Sequence, residues 1–322
     1  MEKEIRRPWR RWVVLVLMIA GFVLAGTFIP VRPEITVAPE RLIEEPLFTL
    51  PKPFGPFYLV NTLPTLAVTI ILLMVIAYFT NRSLKTSAQT DLVPRGIGNL
   101  MEALLEVLYN LTESSAGAKY ARMIFPWFAT IMVYVLFANL LKLIPGFESV
   151  GVLHHAANGH PVSGAILLPG EVENGYILAP FFRGISVDLN FTFALAIISF
   201  VMIQVVGFRA QGFGYLSKFF NTRRMFKVPF FGAMDFLVGL LELISELSKI
   251  LSFAFRLFFN MFAGVILVAV VAFLLGKITI LSSMLYLFEL FVGVIQAFVF
   301  GMLTMVFMAM ATQGHGEEHA EH

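Results

Sequence analysis

The feature that most restricts this chain is the run from Pro229 to Leu275, 47 residues of mainly Leu, Phe, Val and Ala with only five charges. As one helix it would extend about 70 Å at 1.5 Å per residue. The hydrocarbon core of a bilayer is about 30 Å thick. The run must therefore break, tilt strongly or lie partly along the membrane. A second run, residues 282–312, is 31 residues long and also exceeds an upright crossing. Together they read as a tilted helical hairpin that turns near residues 276–281. Composition agrees: 58% of the 322 residues are hydrophobic and 14% are charged, against about 25% charged in soluble domains. So few charges cannot cover a soluble globule of this size, and the solvent is read as lipid.

Residues 13–30 are a further candidate crossing after a start containing Arg6, Arg7, Arg10 and Arg11. A basic start also opens signal peptides, but Leu24-Ala25-Gly26-Thr27 is a poor cleavage site, which favours a retained anchor. Residues 31–56 are rich in Pro and Glu and read as an external linker. Residues 57–80 form a clean span closed by Asn81, Arg82 and Lys85. In residues 100–111, Leu100, Leu104, Leu105, Leu108 and Leu111 share one face, while Glu102, Glu106, Asn110 and Glu113 lie largely elsewhere. That pattern predicts an amphipathic helix on the membrane surface or on a partner. Residues 123–145 and 185–208 span again, separated by a polar, Gly-rich external loop over 146–183. Residues 212–227 are basic and turn-rich. The fold class is therefore all-α: a polytopic integral membrane protein with about six embedded segments and one amphipathic surface helix. Its units are an anchor and linker over 1–56, a membrane domain over 57–312, and a polar tail over 313–322.

Lysine and arginine set the orientation. Fifteen of the 23 lie in residues 1–11, 81–122 and 209–227, and five lie in the alternating loops. With the first segment retained, both termini face the cytoplasm. The other three, Lys142, Lys249 and Arg256, fall within predicted spans.

The chemistry concentrates in the 47-residue run. Glu242, Ser245, Lys249, Ser252, Arg256 and Asn260 step by three or four. At 100° per residue, all six fall within about 80° of one another. A narrow polar stripe thus follows an otherwise apolar helix. Glu289 and Gln296, seven residues apart, share one face of the next helix. Charges at membrane depth are expensive and tend to be functional. Arg256, flanked by Phe255, Leu257, Phe258 and Phe259, is the sharpest case. An arginine stays protonated, so it is a fixed positive charge that lowers the pKa of an approaching carboxylate by about 1–3 units. It also offers a migrating proton no site to occupy. The competing reading is a structural ion pair with Glu242, Glu246 or Glu289. The first two lie on the same helix, at least two and a half turns away.

The sequence Ser252-Phe-Ala-Phe-Arg256-Leu-Phe-Phe-Asn260-Met-Phe-Ala-Gly264 closely resembles the signature of subunit a of F-type ATP synthases. Gln296-Ala-Phe-Val-Phe-Gly-Met-Leu-Thr304, Gly184-Ile-Ser186-Val-Asp188-Leu-Asn190 and Phe137-Ala-Asn139-Leu-Leu-Lys-Leu-Ile-Pro145 resemble three further blocks of that family, in the family's order. The resemblance covers about residues 57–312 and implies a mechanism. Subunit a stands beside a rotating ring of c subunits, each with a membrane carboxylate, and two offset aqueous half-channels reach the interface from opposite sides. A proton enters from outside, neutralises a ring carboxylate, rides the ring and leaves inside. The long tilted hairpin would lie against the ring. The membrane potential contributes about 2.3 kcal/mol per charge per 100 mV.

Residue by residue, the resemblance implies that Arg256 keeps the half-channels apart. Glu289 falls where the family places a His or an acid in the inlet, and Gln296 and Asn260 match polar residues near the arginine. Asn139, Ser186, Asp188 and Asn190 match outer polar positions, although plain interhelical hydrogen bonding also suits Asn139, Ser186 and Asn190. Glu242, Lys249 and Ser252 match the outlet side. Two positions depart from the pattern. Val265 stands where some members carry an acid, so Glu289 would supply the titrating group. Lys142 stands where some members carry an acid three residues after the Asn. A cation there would repel protons, so Lys142 should face away or be compensated by an acid such as Asp188 or Glu148.

The implied partners are the c-ring, peripheral-stalk b subunits and the rest of the complex, in lipid and without nucleic acid. The location is an energy-coupling membrane, the bacterial plasma membrane. Without cysteine there is no thiolate site or disulfide. With no Gly-x-x-x-x-Gly-Lys phosphate loop, ATP chemistry resides on other chains. No cofactor or metal is expected: His154, His155 and His160 read as a solvated loop, and the His- and Glu-rich tail as solvated too. The polar set lacks an oxygen-rich cation cage, which favours protons over sodium. Gly293, Ala297 and Gly301, four apart, allow close helix packing. The alternative function is a self-contained secondary transporter whose arginine binds an anionic substrate. That would favour internal repeats with matched broken helices, and none is visible.

Overall fold

The computed structural model describes residue 16, residues 38–51 except 44, and residues 55–90, 96–144, 147, 148, 150–163, 166, 167, 172–218, 229–275 and 279–313. Apart from Val16, the predicted first anchor lies outside the described residues. So do part of the basic stretch after residue 218, the centre of the hairpin turn and the His-rich tail.

Among the described residues, five long helices carry the fold: α1 (Thr62–Thr90), α2 (Ile97–Leu141), α3 (Leu189–Gln211), α4 (Pro229–Leu275) and α5 (Thr279–Thr312). Each is long and apolar enough to cross a membrane. Their outward faces carry bulky apolar side chains, including Ile71, Met74 and Phe79 on α1, Leu241 and Phe259 on α4, and Leu287 and Phe291 on α5. An apolar exterior of this extent belongs in lipid or against a partner. With the sequence reading, this makes the chain an all-α, multi-pass membrane protein.

The predicted surface helix and the span at 123–145 are one element. α2 holds both, joined at Gly117, whose φ of 73° and ψ of 158° interrupt the helical backbone. A residue with a Cβ adopts such a positive φ only with strain. The partner of the amphipathic part is the chain itself. Leu108 is buried, and Leu104, Leu105 and Leu111 pack against a cluster that includes Ile124, Phe128, Ile203, Val206, Met305 and Met308. Glu102, Glu106 and Glu113 remain exposed on the other side.

A second cluster fills the centre of the bundle: Ile131 and Val135 of α2, Leu195 and Ala196 of α3, Phe253, Leu257 and Met261 of α4, and Ala297 and Phe300 of α5. The small residues of α5 set its approach to α2. A Cβ at Gly293 would lie 3.2 Å from Asn139 Cβ, and one at Gly301 would lie 2.8 Å from Met132 Cβ. Their close packing is therefore internal to the chain.

The linker before α1 and the loop after α2 contain strands that the sequence reading did not predict. β1 (Phe48–Leu50) pairs antiparallel with β2 (Gly55–Phe57) in the linker. In the loop after α2, β3 (Gly151–Gly159) pairs with β6 (Val172–Pro180), enclosing a second small pair, β4 (Val162–Ser163) with β5 (Ile166–Leu167). His154 and His155 lie on β3, and the His155 ring stands 4.1 Å from that of Tyr176. The chain returns from this hairpin through a buried 3₁₀ turn, Ile185–Val187, wedged among α1, α2, α3 and α4. Asp188 then caps α3 by accepting a bond from the Asn190 backbone N–H at 2.9 Å.

Candidate functional site

Two cations at membrane depth are handled in opposite ways. Arg256 is on an exposed face of α4, with Ser252 one turn before it and Asn260 one turn after it, both also exposed. Among the described residues, no hydrogen bond or ion pair involves the Arg256 guanidinium. The structural ion pair considered for Arg256 is thus not formed. Its aromatic neighbours Phe255 and Phe259 are exposed on the same side and stack at 5.6 Å. A guanidinium cannot be left facing hydrocarbon without a cost of several kcal/mol. This face therefore calls for a polar partner.

Lys142, at the C-terminal cap of α2, is buried, and its ammonium meets Glu289 of α5 at 2.5 Å. The compensating acid is therefore Glu289. The alternatives named from sequence stand elsewhere. Asp188 accepts from Thr62 Oγ1 at 2.8 Å and from Asn190 N, while Glu148 accepts from Gly184 N at 3.2 Å. Glu289 also lies against α4, where a Cβ at Gly264 would come within 3.1 Å of its Oε1. Gly264 thus makes room for the carboxylate that Val265 does not supply.

From Glu289, polar groups continue along the buried side of α5. Asn139 donates to the Gly293 carbonyl at 3.0 Å and accepts from Ser186 Oγ at 2.6 Å. Gln296, one turn further, is buried and accepts from Asn260 Nδ2 at 2.7 Å. Its own Nε2 has no hydrogen-bond partner among the described residues. Asn260 carries the line to the exposed face, one turn from Arg256. A chain of polar side chains thus leads from the hairpin end of the bundle to the unpaired arginine.

On the other side of Arg256, Lys249 pairs with Glu246 at 2.9 Å and lies over the Phe307 ring. Glu246 is buried and Glu242 is half-buried. Sequence reading placed Glu246 off the polar stripe, although its spacing of three from Lys249 suits an ion pair. Of the sequence-predicted site residues, Arg256, Asn260, Gln296, Ser252, Glu289, Asn139 and Ser186 come together along this line. Lys249 and Glu242 lie toward the other end of α4. Asp188 acts as a helix cap, and Asn190 is exposed at the start of α3. Among the described residues, no three His, Cys, Asp or Glu side chains converge as metal ligands.

The sequence profile of the family described as ATP synthase A chain matches residues 63–309. A curated relative from Campylobacter jejuni (strain 81-176), ATP synthase subunit a, is 31% identical over 252 residues, covering 76% of this chain and 88% of the relative. Proteins of the same name are 30% identical from Mycobacterium bovis, covering 81% of this chain and 90% of the relative, and 30% identical from Acidothermus cellulolyticus, covering 71% of each.

Proposed function

The chain belongs to the ATP synthase A chain family and serves the ATP synthase membrane sector as the stator subunit for proton passage; within that role, we propose that Arg256 faces the carboxylates of a rotating c-ring. One observation carries the reading. A permanently charged side chain stands on an exposed, mainly apolar helix face, at membrane depth, with no partner among the described residues. A ring carboxylate arriving opposite Arg256 would be favoured in its ionised form, so it would give up its proton on approach. Because Arg256 itself does not deprotonate, it divides the polar groups on its two sides.

On this reading, Glu289, Asn139, Ser186, Gln296 and Asn260 form the inlet, with Asp188 and Asn190 at its outer end. Glu242, Lys249 and Ser252 border the outlet. Residues 57–312 act as one membrane domain, flanked by an anchor and linker over 1–56 and a tail over 313–322. Both termini face the cytoplasm, following the Lys and Arg bias. Peripheral-stalk b subunits hold the domain against the ring. The transporter alternative is not favoured, because Arg256 stands on an outward face with no enclosing set of polar ligands for an anion among the described residues.

Arg256→Ala tests the reading. The expected result is a complex that still retains its proteolipid ring and ATPase headpiece but loses ATP synthesis driven by a proton gradient. Synthesis near the wild-type rate in the assembled variant would refute it.

A further inference from the structure

At the hairpin end of the inlet, Lys142, Arg183 and Glu289 lie within electrostatic reach of Glu148. Gly184 donates its N–H to Glu148 on one side. On the other side, a Cβ at Gly184 would stand 3.0 Å from Lys142 Cδ and 3.4 Å from Lys142 Cβ. The lysine stem therefore passes directly over Gly184, between Glu148 and the Glu289 carboxylate that its ammonium now holds. Arg183, next in the chain, is tied down: its N–H donates to Thr65 Oγ1 at 3.1 Å and its guanidinium to the Ala38 carbonyl at 3.1 Å. Tyr286 of α5 lies within electrostatic reach of both carboxylates. From α4, Gly264 lies against the Glu289 carboxylate. Lys142 carries its ammonium on a flexible four-carbon stem.

We propose that Glu148 is the proton-collecting carboxylate at the mouth of the inlet, and that Lys142 is a positioning residue whose ammonium alternates between Glu289 and Glu148. The proposal rests on the reading of the Glu289 line as an inlet. In the resting arrangement, Lys142 balances Glu289 and Arg183 lies near Glu148. A hydronium at the mouth breaks one of its O–H bonds as an O–H bond forms on Glu148, and leaves as water. The Glu148 O–H bond then breaks as an O–H bond forms on Glu289, and Glu148 returns to carboxylate. Lys142 moves from the neutral Glu289 to the ionised Glu148, so no step leaves a buried charge without a counter-ion. Such a charge would cost about 3–5 kcal/mol. When Glu289 passes its proton toward Asn139 and Gln296, the ammonium returns.

The position of Glu148 suits the role. The residue is exposed as a whole, while its carboxyl is partly desolvated. This desolvation raises its pKa above the ordinary carboxylate value. The Gly184 N–H, Lys142 and Arg183 oppose the rise, and the Glu289 charge adds to it. A raised carboxyl loads a proton at a higher pH than an ordinary glutamate does.

The experiment uses the whole complex in liposomes, with ATP synthesis driven by a fixed membrane potential while the pH on the inlet side is varied. Glu148→Gln keeps an oxygen to accept from Gly184 N–H but cannot titrate. It should assemble fully and lose about ten-fold of its synthesis at alkaline inlet pH, short of the roughly 100-fold typical of a fully enclosed proton-transfer group. The loss should shrink at acidic inlet pH, where water loads Glu289 directly. Glu148→Asp should restore most of the rate and the wild-type pH slope. If Glu148→Gln does not assemble, Glu148→Asp alone carries the test, and a flat pH profile overturns the relay. Wild-type synthesis by Glu148→Gln at every inlet pH, with Glu289→Gln inactive, overturns the relay but leaves the inlet standing. Wild-type synthesis by Glu289→Gln as well overturns the inlet and the relay together.

Discussion

Arg256 and Lys142 lie at the two ends of one polar line, and the fold treats them differently. Lys142 is buried against Glu289 and surrounded by its own chain. Arg256 is exposed and unpaired among the described residues. A buried ion pair satisfies its own charges and asks nothing of another subunit. An outward-facing arginine in an apolar belt is complete only when something else supplies the counter-charge. On the proposed reading, the difference separates a cation compensated inside the chain from one whose counter-charge comes from a neighbouring subunit. It also explains why α4 carries Ser252 and Asn260 beside Arg256 on the same exposed face, while Glu289, Asn139 and Gln296 are buried.

The largest effect within the paired region comes from splitting the pair. Lys142→Met leaves Glu289 as a buried charge without its cation and should cost about 3–5 kcal/mol, measured as a lower melting temperature and a smaller assembled fraction. Lys142→Met combined with Glu289→Leu should recover most of that stability but not proton-driven synthesis. Recovery of both would make the pair purely structural and break the contrast with Arg256. Gly301→Ala probes the packing that holds α5 and its Glu289 against α2. The added methyl, 2.8 Å from Met132 Cβ, should cost about 1–3 kcal/mol of crowding. A gain of roughly 1 kcal/mol in helix propensity offsets part of this. Thermal unfolding of the purified complex measures the net loss, which should fall below that of Lys142→Met. The smallest effect is at Asp188. Asp188→Ala removes a helix cap worth about 1 kcal/mol, whereas Asp188→Asn keeps an oxygen for the Asn190 N–H. Unchanged proton flux in Asp188→Asn identifies a cap. Lost flux would place Asp188 among the proton carriers and extend the inlet beyond Glu148.

The helices, the polar stripe and Arg256 were legible because each depends on local spacing. Apolar length marks a crossing, and a step of three or four marks a face. The Asn260–Gln296 contact was nearly legible too, since both belong to a hairpin of adjacent helices. The Lys142–Glu289 pair was not, because 147 residues separate its members and nothing in either segment fixes the register of α2 against α5. That register depends on Gly293 and Gly301, which local spacing flags only as small. The paired strands β3 and β6 escaped notice for a related reason. Twelve residues lie between Gly159 and Val172, so no tight-turn signal links them. The cap made by Asp188 was hidden by its company: an acid grouped with candidate proton carriers draws attention to its charge, while its contacts with Thr62 and a backbone N–H depend on the fold.

Gly117 gives α2 a mechanical character. On the proposed reading, a ring turning beside α5 would load the bundle sideways on every step. The span 118–141 packs against α5, and its base continues, through one non-helical residue, into a segment that is itself keyed into the bundle by Leu108. The bend makes a bracket from a single covalent strand: a post and a foot, with the joint in the backbone and not in side-chain contacts that could slip. Stiffening or loosening that joint would change how much twist the stator stores before the next step, without touching any group that carries a proton.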